Sequence, residues 1–285
     1  MIYGITTVLK YLFGTDHAER NFAVFPDDTM IVSYPRSGNT WTRFLIANLL
    51  HPEQEISFVN IERLIPDTSS ISSRALKRIP RPRLIKSHEY FDHRYPRVIY
   101  IVRDPRDVAF SFYNFQRKSR QIDDNCPLER YVDDFVSGRL NSASWGTWAE
   151  NVASWVSTRS QSPKFFLLRF EDMIENPARE LRRVASFLAL SQTDAVLERA
   201  IRNCSAQRMR EMEKQQNDQW RATRDKRKDI PFVGAAKAGG WRSSLPEAAV
   251  LRIESAWGTL MKSLGYTLSS VRSPEAELIS LSRAK

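Results

Sequence analysis

The stretch "TMIVSYPRSGNTWTRFLIANLL", residues 29–50, changes character at its centre. It opens as an apolar, branched run from Met30 to Tyr34, the composition of a buried strand. It closes with Trp41, Phe44, Leu45, Asn48 and Leu49 at spacings that share one face of a helix. Between them lies a tight hydrophilic turn, Pro35-Arg36-Ser37-Gly38-Asn39-Thr40. A strand, a tight loop and a helix N-terminus form a site for an anion, because loop N–H groups point into the turn and the helix dipole adds partial positive charge. Arg36 brings a full charge, Ser37, Asn39 and Thr40 bring polar side chains, and Gly38 lets the backbone approach closely. The spacing differs from the Gly-x-x-x-x-Gly-Lys-Ser/Thr nucleotide loop. No Ser/Thr follows a loop Lys, so the usual handle for magnesium is missing and no metal is expected.

Outward from this stretch, a second strand, "RVIYIVR" (97–103), runs straight into "DPRDVAFSFYNF". There Asp104 suits a helix N-cap and Pro105 the first helical position. A third apolar run, "KFFLLRF" (164–170), leads through Glu171-Asp172 into "NPARELRRVASFLAL", where Leu181, Val184, Ala185 and Leu188 make one stripe. With "RLIKSH" (83–88) the chain has at least four strands alternating with helices. That alternation predicts an α/β fold, one domain with a central parallel sheet flanked by helices. The expected boundaries are an N-terminal segment packing on the domain (1–28), the domain itself (29–268) and a tail (269–285). The last clear helix starts near Pro246 and stops at Gly265. Two segments, 116–127 and 214–230, are polar and poor in periodicity; they read as solvated surface or as a lid over a ligand.

Of 285 residues, 42% are hydrophobic and 27% charged, ordinary for a globular chain with a large core. The net charge of +10 asks for an anionic partner without choosing among nucleic acid, acidic lipid and a polyanionic small molecule. Cys126 and Cys204 make neither a disulfide framework nor a metal-ligand spacing, which points to a reducing, cytoplasmic setting. The opening "MIYGITTVLKYLFG" is too short and too charged for a transmembrane segment and lacks the marks of a signal peptide. A nucleic-acid binder would cluster its basic residues on one element. Here the best run, "RATRDKRK" (221–228), is isolated, so nucleic acid is not the expected partner.

Open parallel sheets bind ligands at the carboxyl ends of their strands. Arg103 stands where "VIYIV" ends, and Ser111 lies about two helical turns beyond. Two anion-binding groups at two strand ends imply a ligand with two separated phosphate-like groups.

"YPRSGNTW" (34–41) resembles the "YPKSGTTW" loop of the sulfotransferases that use 3′-phosphoadenosine 5′-phosphosulfate (PAPS). "YIVRDPRDVAFSFYNF" is similar to that family's second signature, and "LIKSHEY" to its Lys-Thr-His segment. "SASWGTWAENVASWV", "FLLRFEDMIENPARELRRVASFL" and "AAKAGGW" match further landmarks in the same order, from about residue 29 to 265. The resemblance implies a P-loop-like sulfotransferase fold that needs no metal. It implies that Arg36, Ser37, Gly38, Asn39 and Thr40 hold the 5′-phosphosulfate, that Trp41 stacks on adenine and Ser205 touches it, and that Arg103 and Ser111 fix the 3′-phosphate. Lys86 and His88 then face the sulfuryl group and a hydroxyl, or an amine, of a small-molecule or carbohydrate acceptor, with His88 as general base and Lys86 and Arg36 stabilising the leaving phosphate.

The chain departs from the family pattern in places. Phe170 and Ala206 stand where many members have Tyr and Phe, and Gly234-Ala235-Ala236 falls on the Arg-Lys-Gly triplet that clasps the 3′-phosphate. Ala236, Lys237 and Ala238 are then the candidates for the clasp, with Lys237 supplying charge. "SSLPEAAV" (243–250) replaces the short dimer motif of the animal cytosolic enzymes, which leaves the oligomeric state open. Two other readings stand beside this one: a magnesium-dependent kinase with a strand-end carboxylate, for which Asp104 is available but suited to capping, and an inactive module that binds the product nucleotide, PAP.

Overall fold

The computed structural model describes residues 17–142, 144–234 and 237–269. Four strands, β1 (Thr29–Ser33), β2 (Leu84–Ser87), β3 (Arg97–Val102) and β4 (Phe165–Arg169), form one sheet in the order β2-β1-β3-β4. Every pairing is parallel: Thr29 faces both Leu84 and Arg97, and Val98 faces Phe165. The described helices are α1 (Asn39–Leu50), α2 (Ile61–Leu64), α3 (Ser73–Lys77), α4 (Pro105–Lys118), α5 (Leu128–Val136), α6 (Trp148–Arg159), α7 (Phe170–Glu175), α8 (Pro177–Phe187), α9 (Asp194–Asn203), α10 (Ala206–Gln216), α11 (Trp241–Ser244) and α12 (Glu247–Ser263). The fold is α/β with helices over both faces of a parallel sheet, as the alternation of elements implies.

A strand covered on both faces is apolar at every position, and its two-residue period deals successive side chains to opposite cores. Met30, Val32, Val98, Tyr100 and Val102 enter one core, with Phe112 of α4, Phe135 of α5, Trp148 and Trp155 of α6 and Trp257 of α12. Ile31, Ile99, Ile101 and Leu168 enter the other, with Phe44, Leu45 and Leu49 of α1 and Leu181 and Val184 of α8. Ala18 and Phe22 are buried in the first core, while the chain before residue 17 lies outside the described residues.

Helix starts follow local chemistry. Asp104 caps α4 by accepting from the Arg106 N–H at 2.9 Å, with Pro105 as the first helical residue. Asn176 caps α8 in the same way ahead of Pro177. Thr147 and Glu150 form a reciprocal capping box on α6.

Three details differ from the sequence pattern. Helix α1 is buried well beyond one stripe, because it lies between the sheet and neighbouring helices; even Arg43 is 1% exposed, paired with Glu62 at 3.1 Å and donating to the Ile65 carbonyl. Residues 116–118 complete α4, and α10 extends to Gln216, so both polar segments begin as helix ends. No helix among the described residues is long and apolar enough to cross a membrane.

Candidate active site

In this strand order the chain leaves β1 for β2 on one side and then returns to β3 on the other, which opens a crevice at the carboxyl ends of the three strands. The side chains singled out in the sequence converge there on a cavity of about 1500 Å³. Arg36, Gly38, Asn39, Thr40 and Trp41 line it from the β1 turn, Lys86 and His88 from the end of β2, and Arg103 and Ser111 from β3 and α4.

The turn after β1 is built around two left-handed residues, Arg36 (φ 69°) and Gly38 (φ 94°). At Gly38 a side chain is excluded twice over. Its φ disfavours one, and a Cβ would fall 2.4 Å from Cδ2 of Phe170. The turn is further tied by Arg103, whose Nη1 donates to the Arg36 carbonyl at 3.2 Å. Ser37 is fully buried and its Oγ has no hydrogen-bond partner among the described residues. Asn39 is committed inward, its Nδ2 donating to the Ile31 carbonyl at 3.2 Å and to Ser33 Oγ at 3.1 Å.

Arg36 reaches across the cavity. Its Nε donates to Ser111 Oγ at 3.1 Å and its Nη2 to the Phe232 carbonyl at 3.0 Å, with the guanidinium against the rings of Phe115 and Phe232. Burial, and then the charge of Arg103, push its pKa down to about 10. Arg103 sits 4.4 Å from the Phe170 ring centroid and 3.9 Å from Asp107, with its buried Nε unpartnered among the described residues. Two adjacent half-buried guanidiniums with open donors are a receptor for anionic oxygen.

At the end of β2, Lys86 pairs with Asp67, a residue that no sequence motif marks. Residues 66–68 run alongside Lys86 as a parallel bridge, with the Lys86 N–H donating to the Pro66 carbonyl at 2.8 Å. Burial raises the Asp67 pKa, but Lys86, then His88 and Arg43, outweigh it and hold the carboxyl below the usual range. His88 donates its Nδ1–H to the Ser33 carbonyl at 2.7 Å, which leaves Nε2 as the basic nitrogen. Burial and the Lys86 charge push its pKa down to about 3, so the ring is neutral at pH 7. His93, the nearby rival in sequence, is exposed and outside the cavity lining.

Trp41 is half-buried, donates Nε1–H to the Cys204 carbonyl at 2.9 Å and meets Phe170 edge-on at 5.9 Å between centroids. Ser205 caps α10 and lines the cavity beside Ala206. Lys237 lines the cavity but is exposed. Ala238 is half-buried outside the lining, and Ala236 lies outside the described residues. Another residue without a sequence signal orders this region: Asp107 accepts from the Gly239 N–H at 2.8 Å and the Trp241 N–H at 2.9 Å, docking residues 239–241 on α4. The two polar segments supply cavity wall, among them Gln116, Gln121, Trp220, Lys226 and Ile230.

Residues 26–265 match the family model of the sulfotransferase domain. The chain belongs to the sulfotransferase family. It is 29% identical to sulfotransferase 1B1 of Canis lupus familiaris over 74% of this chain and 75% of the relative. It is 25% identical to sulfotransferase 1A1 of Mus musculus over 91% and 93%. Its fold is similar to that of retinol dehydratase, solved with retinol and PAP (TM-score 0.74, 18% identity, 93% of this chain and 88% of that one). It is also similar to a mouse sulfotransferase solved with PAP (TM-score 0.70, 21% identity, 88% and 91%).

Proposed function

We propose that the protein transfers a sulfuryl group from PAPS to a hydroxyl, or an amine, of a small-molecule or sugar acceptor in the cytoplasm, without a metal. The observation that carries this reading is the meeting of three strand ends in one cavity: an anion turn on β1, Lys86 and His88 on β2, and Arg103 with Ser111 after β3. A ligand with phosphosulfate at one end and a 3′-phosphate at the other fits that arrangement. Ser37 Oγ and Arg103 Nε are buried donors with no partner among the described residues, and the missing Gly38 Cβ leaves room for the Phe170 ring against the turn.

The protein's work is alignment and electrostatics. Arg36 and Lys86 stabilise charge as it develops on the leaving phosphate, each worth on the order of 10²–10³ in rate. His88, held by the Ser33 carbonyl, presents Nε2 to the acceptor and takes its proton, worth about 10²–10⁴. The kinase alternative calls for a strand-end carboxylate free for a metal. Asp104 does not offer one: its carboxylate caps α4 and grips Arg106 at 2.6 Å.

Incubation with PAPS and a panel of phenols, alcohols, sugars and amines, with and without EDTA, tests the reading by mass spectrometry. A gain of one sulfuryl group that survives EDTA is expected. Transfer abolished by EDTA and restored by magnesium overturns the metal-free mechanism. Absence of transfer to every acceptor class, with PAP still bound, would leave a binding module.

A further inference from the structure

The basic run Arg221–Lys228 contains five cations, and four of them are engaged. Arg221 donates to the Ser70 carbonyl and lies 2.7 Å from His17 Nε2. Arg224 pairs with Asp225 at 3.5 Å, Arg227 with Asp229 at 2.6 Å and Lys228 with Asp218 at 2.7 Å. Lys226 is different. It is half-buried, lines the cavity, and places Nζ 4.0 Å from the Phe115 ring centroid with no acidic partner among the described residues.

This inward turn is enforced by α4. The Arg227 N–H donates to the Lys118 carbonyl at 3.0 Å. The fully buried Lys118 Nζ donates to the carbonyls of Arg227 and Ile230, both at 2.7 Å, and lies 3.5 Å from Glu213. Glu213 in turn accepts from the N–H groups of Phe232 and Val233 at 2.6 and 2.8 Å. Phe115 is one turn beyond Ser111 on α4, and the Arg36 guanidinium shares both residues, 5.0 Å from the ring centroid and 3.1 Å from Ser111 Oγ. Two cations are thus gathered beside a hydroxyl, and their mutual repulsion is relieved when an anion arrives. Burial, then Arg36 and Lys118, push the Lys226 pKa down to about 8.

We propose that Lys226 supplies the charge on the nucleotide 3′-phosphate that the small-residue stretch from Gly234 to Ala236 does not, so that the clasp comes from the preceding strap. The inference rests on the PAPS reading above. It assigns the phosphate subsite to Ser111, Arg103 and Lys226, and leaves Lys237 at the cavity edge.

Isothermal titration of PAP and of AMP into the parent, Lys226→Ala, Lys226→Arg and Lys237→Ala proteins tests it. The parent should prefer PAP. Lys226→Ala should lose about tenfold or more in PAP affinity while AMP affinity, a control for an intact fold, changes less than about twofold. Lys226→Arg should recover most of the loss, and Lys237→Ala should behave as the parent. A parent that binds PAP and AMP equally overturns the PAPS reading itself. A parent that discriminates, with Lys226→Ala discriminating equally well, overturns the assignment of Lys226. Raising the pH from 7 to 9.5 should weaken PAP binding to the parent more than to Lys226→Arg, since the guanidinium keeps its proton; identical declines count against the assignment.

Discussion

Gly38 and Phe170 are locked together: a Cβ on Gly38 would lie 2.4 Å from Cδ2 of the Phe170 ring. The ring also carries the Arg103 guanidinium at 4.4 Å, so one aromatic side chain supports both the β1 turn and the guanidinium at the end of β3. Gly38→Ala should destabilise the protein by about 1–3 kcal/mol through its positive φ, with the collision adding to that. It should also weaken PAP binding. Urea unfolding and PAP titration measure both, and adding Phe170→Ala should recover part of the binding by opening space. No recovery would mean that the backbone conformation alone is at fault.

His88 should act on the acceptor and not on the nucleotide. His88→Ala should lower turnover by about 10²-fold or more with PAP affinity nearly unchanged. His93→Ala should leave turnover close to the parent's, because His93 is exposed and outside the cavity lining. A larger loss at His93 in the same assay would move the base.

The Lys86–Asp67 pair makes a graded prediction. Lys86→Met removes the positive group and should cost on the order of 10²–10³ in kcat. Asp67→Asn keeps a hydrogen-bond acceptor but removes the charge that orients the ammonium, so its loss should be smaller and should fall on kcat more than on KM. Equal losses from both substitutions would mean that Lys86 works only through Asp67.

Neighbouring residues His88 and Glu89 titrate in opposite senses. The His88 pKa is pushed from 6.5 down to about 3, so the unfolded chain binds more protons and stability rises with pH from about 3 to 6.5. Burial pushes the Glu89 pKa from 4.5 up to about 7, against the opposing charge of Arg20, so its contribution is full below 4.5 and lost as pH rises through 7. Between pH 4.5 and 6.5 the two offset each other. Glu89→Gln should therefore steepen the gain of stability with pH relative to the parent, and His88→Gln should reverse it. Each changes the slope by at most about 1.4 kcal/mol per pH unit. Urea midpoints at pH 5 and pH 7 read this out, and parallel profiles for parent and variants would disprove it.

What the sequence made legible was local. The switch from branched apolar residues to helical spacing marks β1 and α1, and Asp104-Pro105 marks the start of α4, because strands, caps and helices are set by near neighbours. The cavity-lining candidates Arg36, Lys86, His88, Arg103 and Ser111 come together because they follow strand ends, which a parallel sheet places along one edge. Partnerships across long separations left no such trace. Asp67 reaches Lys86 from 19 residues away, and Asp107 receives Gly239 from 132 residues away. Lys226 sits in a run of charges that gives no sign of which one turns inward. The full burial of Arg43 was hidden too, since periodicity reports how polar a helix face is and not what is packed against it.

Helix α4 carries Asp107, Ser111, Phe115 and Lys118 at steps of four, four and three, which is one stripe along its length. Each holds something different: the loop at 239–241, the Arg36 guanidinium, the Lys226 ammonium and the strap at 227–230. These parts of the cavity wall therefore share a common keel, whereas residues 139–142, 144–145 and 220–222 line it from elsewhere. A descendant of this chain can reshape those stretches and so the cavity while the keel stays as it is. One residue inserted into the middle of α4 would turn its far half by about 100° and carry Phe115 and Lys118 out of line with Asp107 and Ser111.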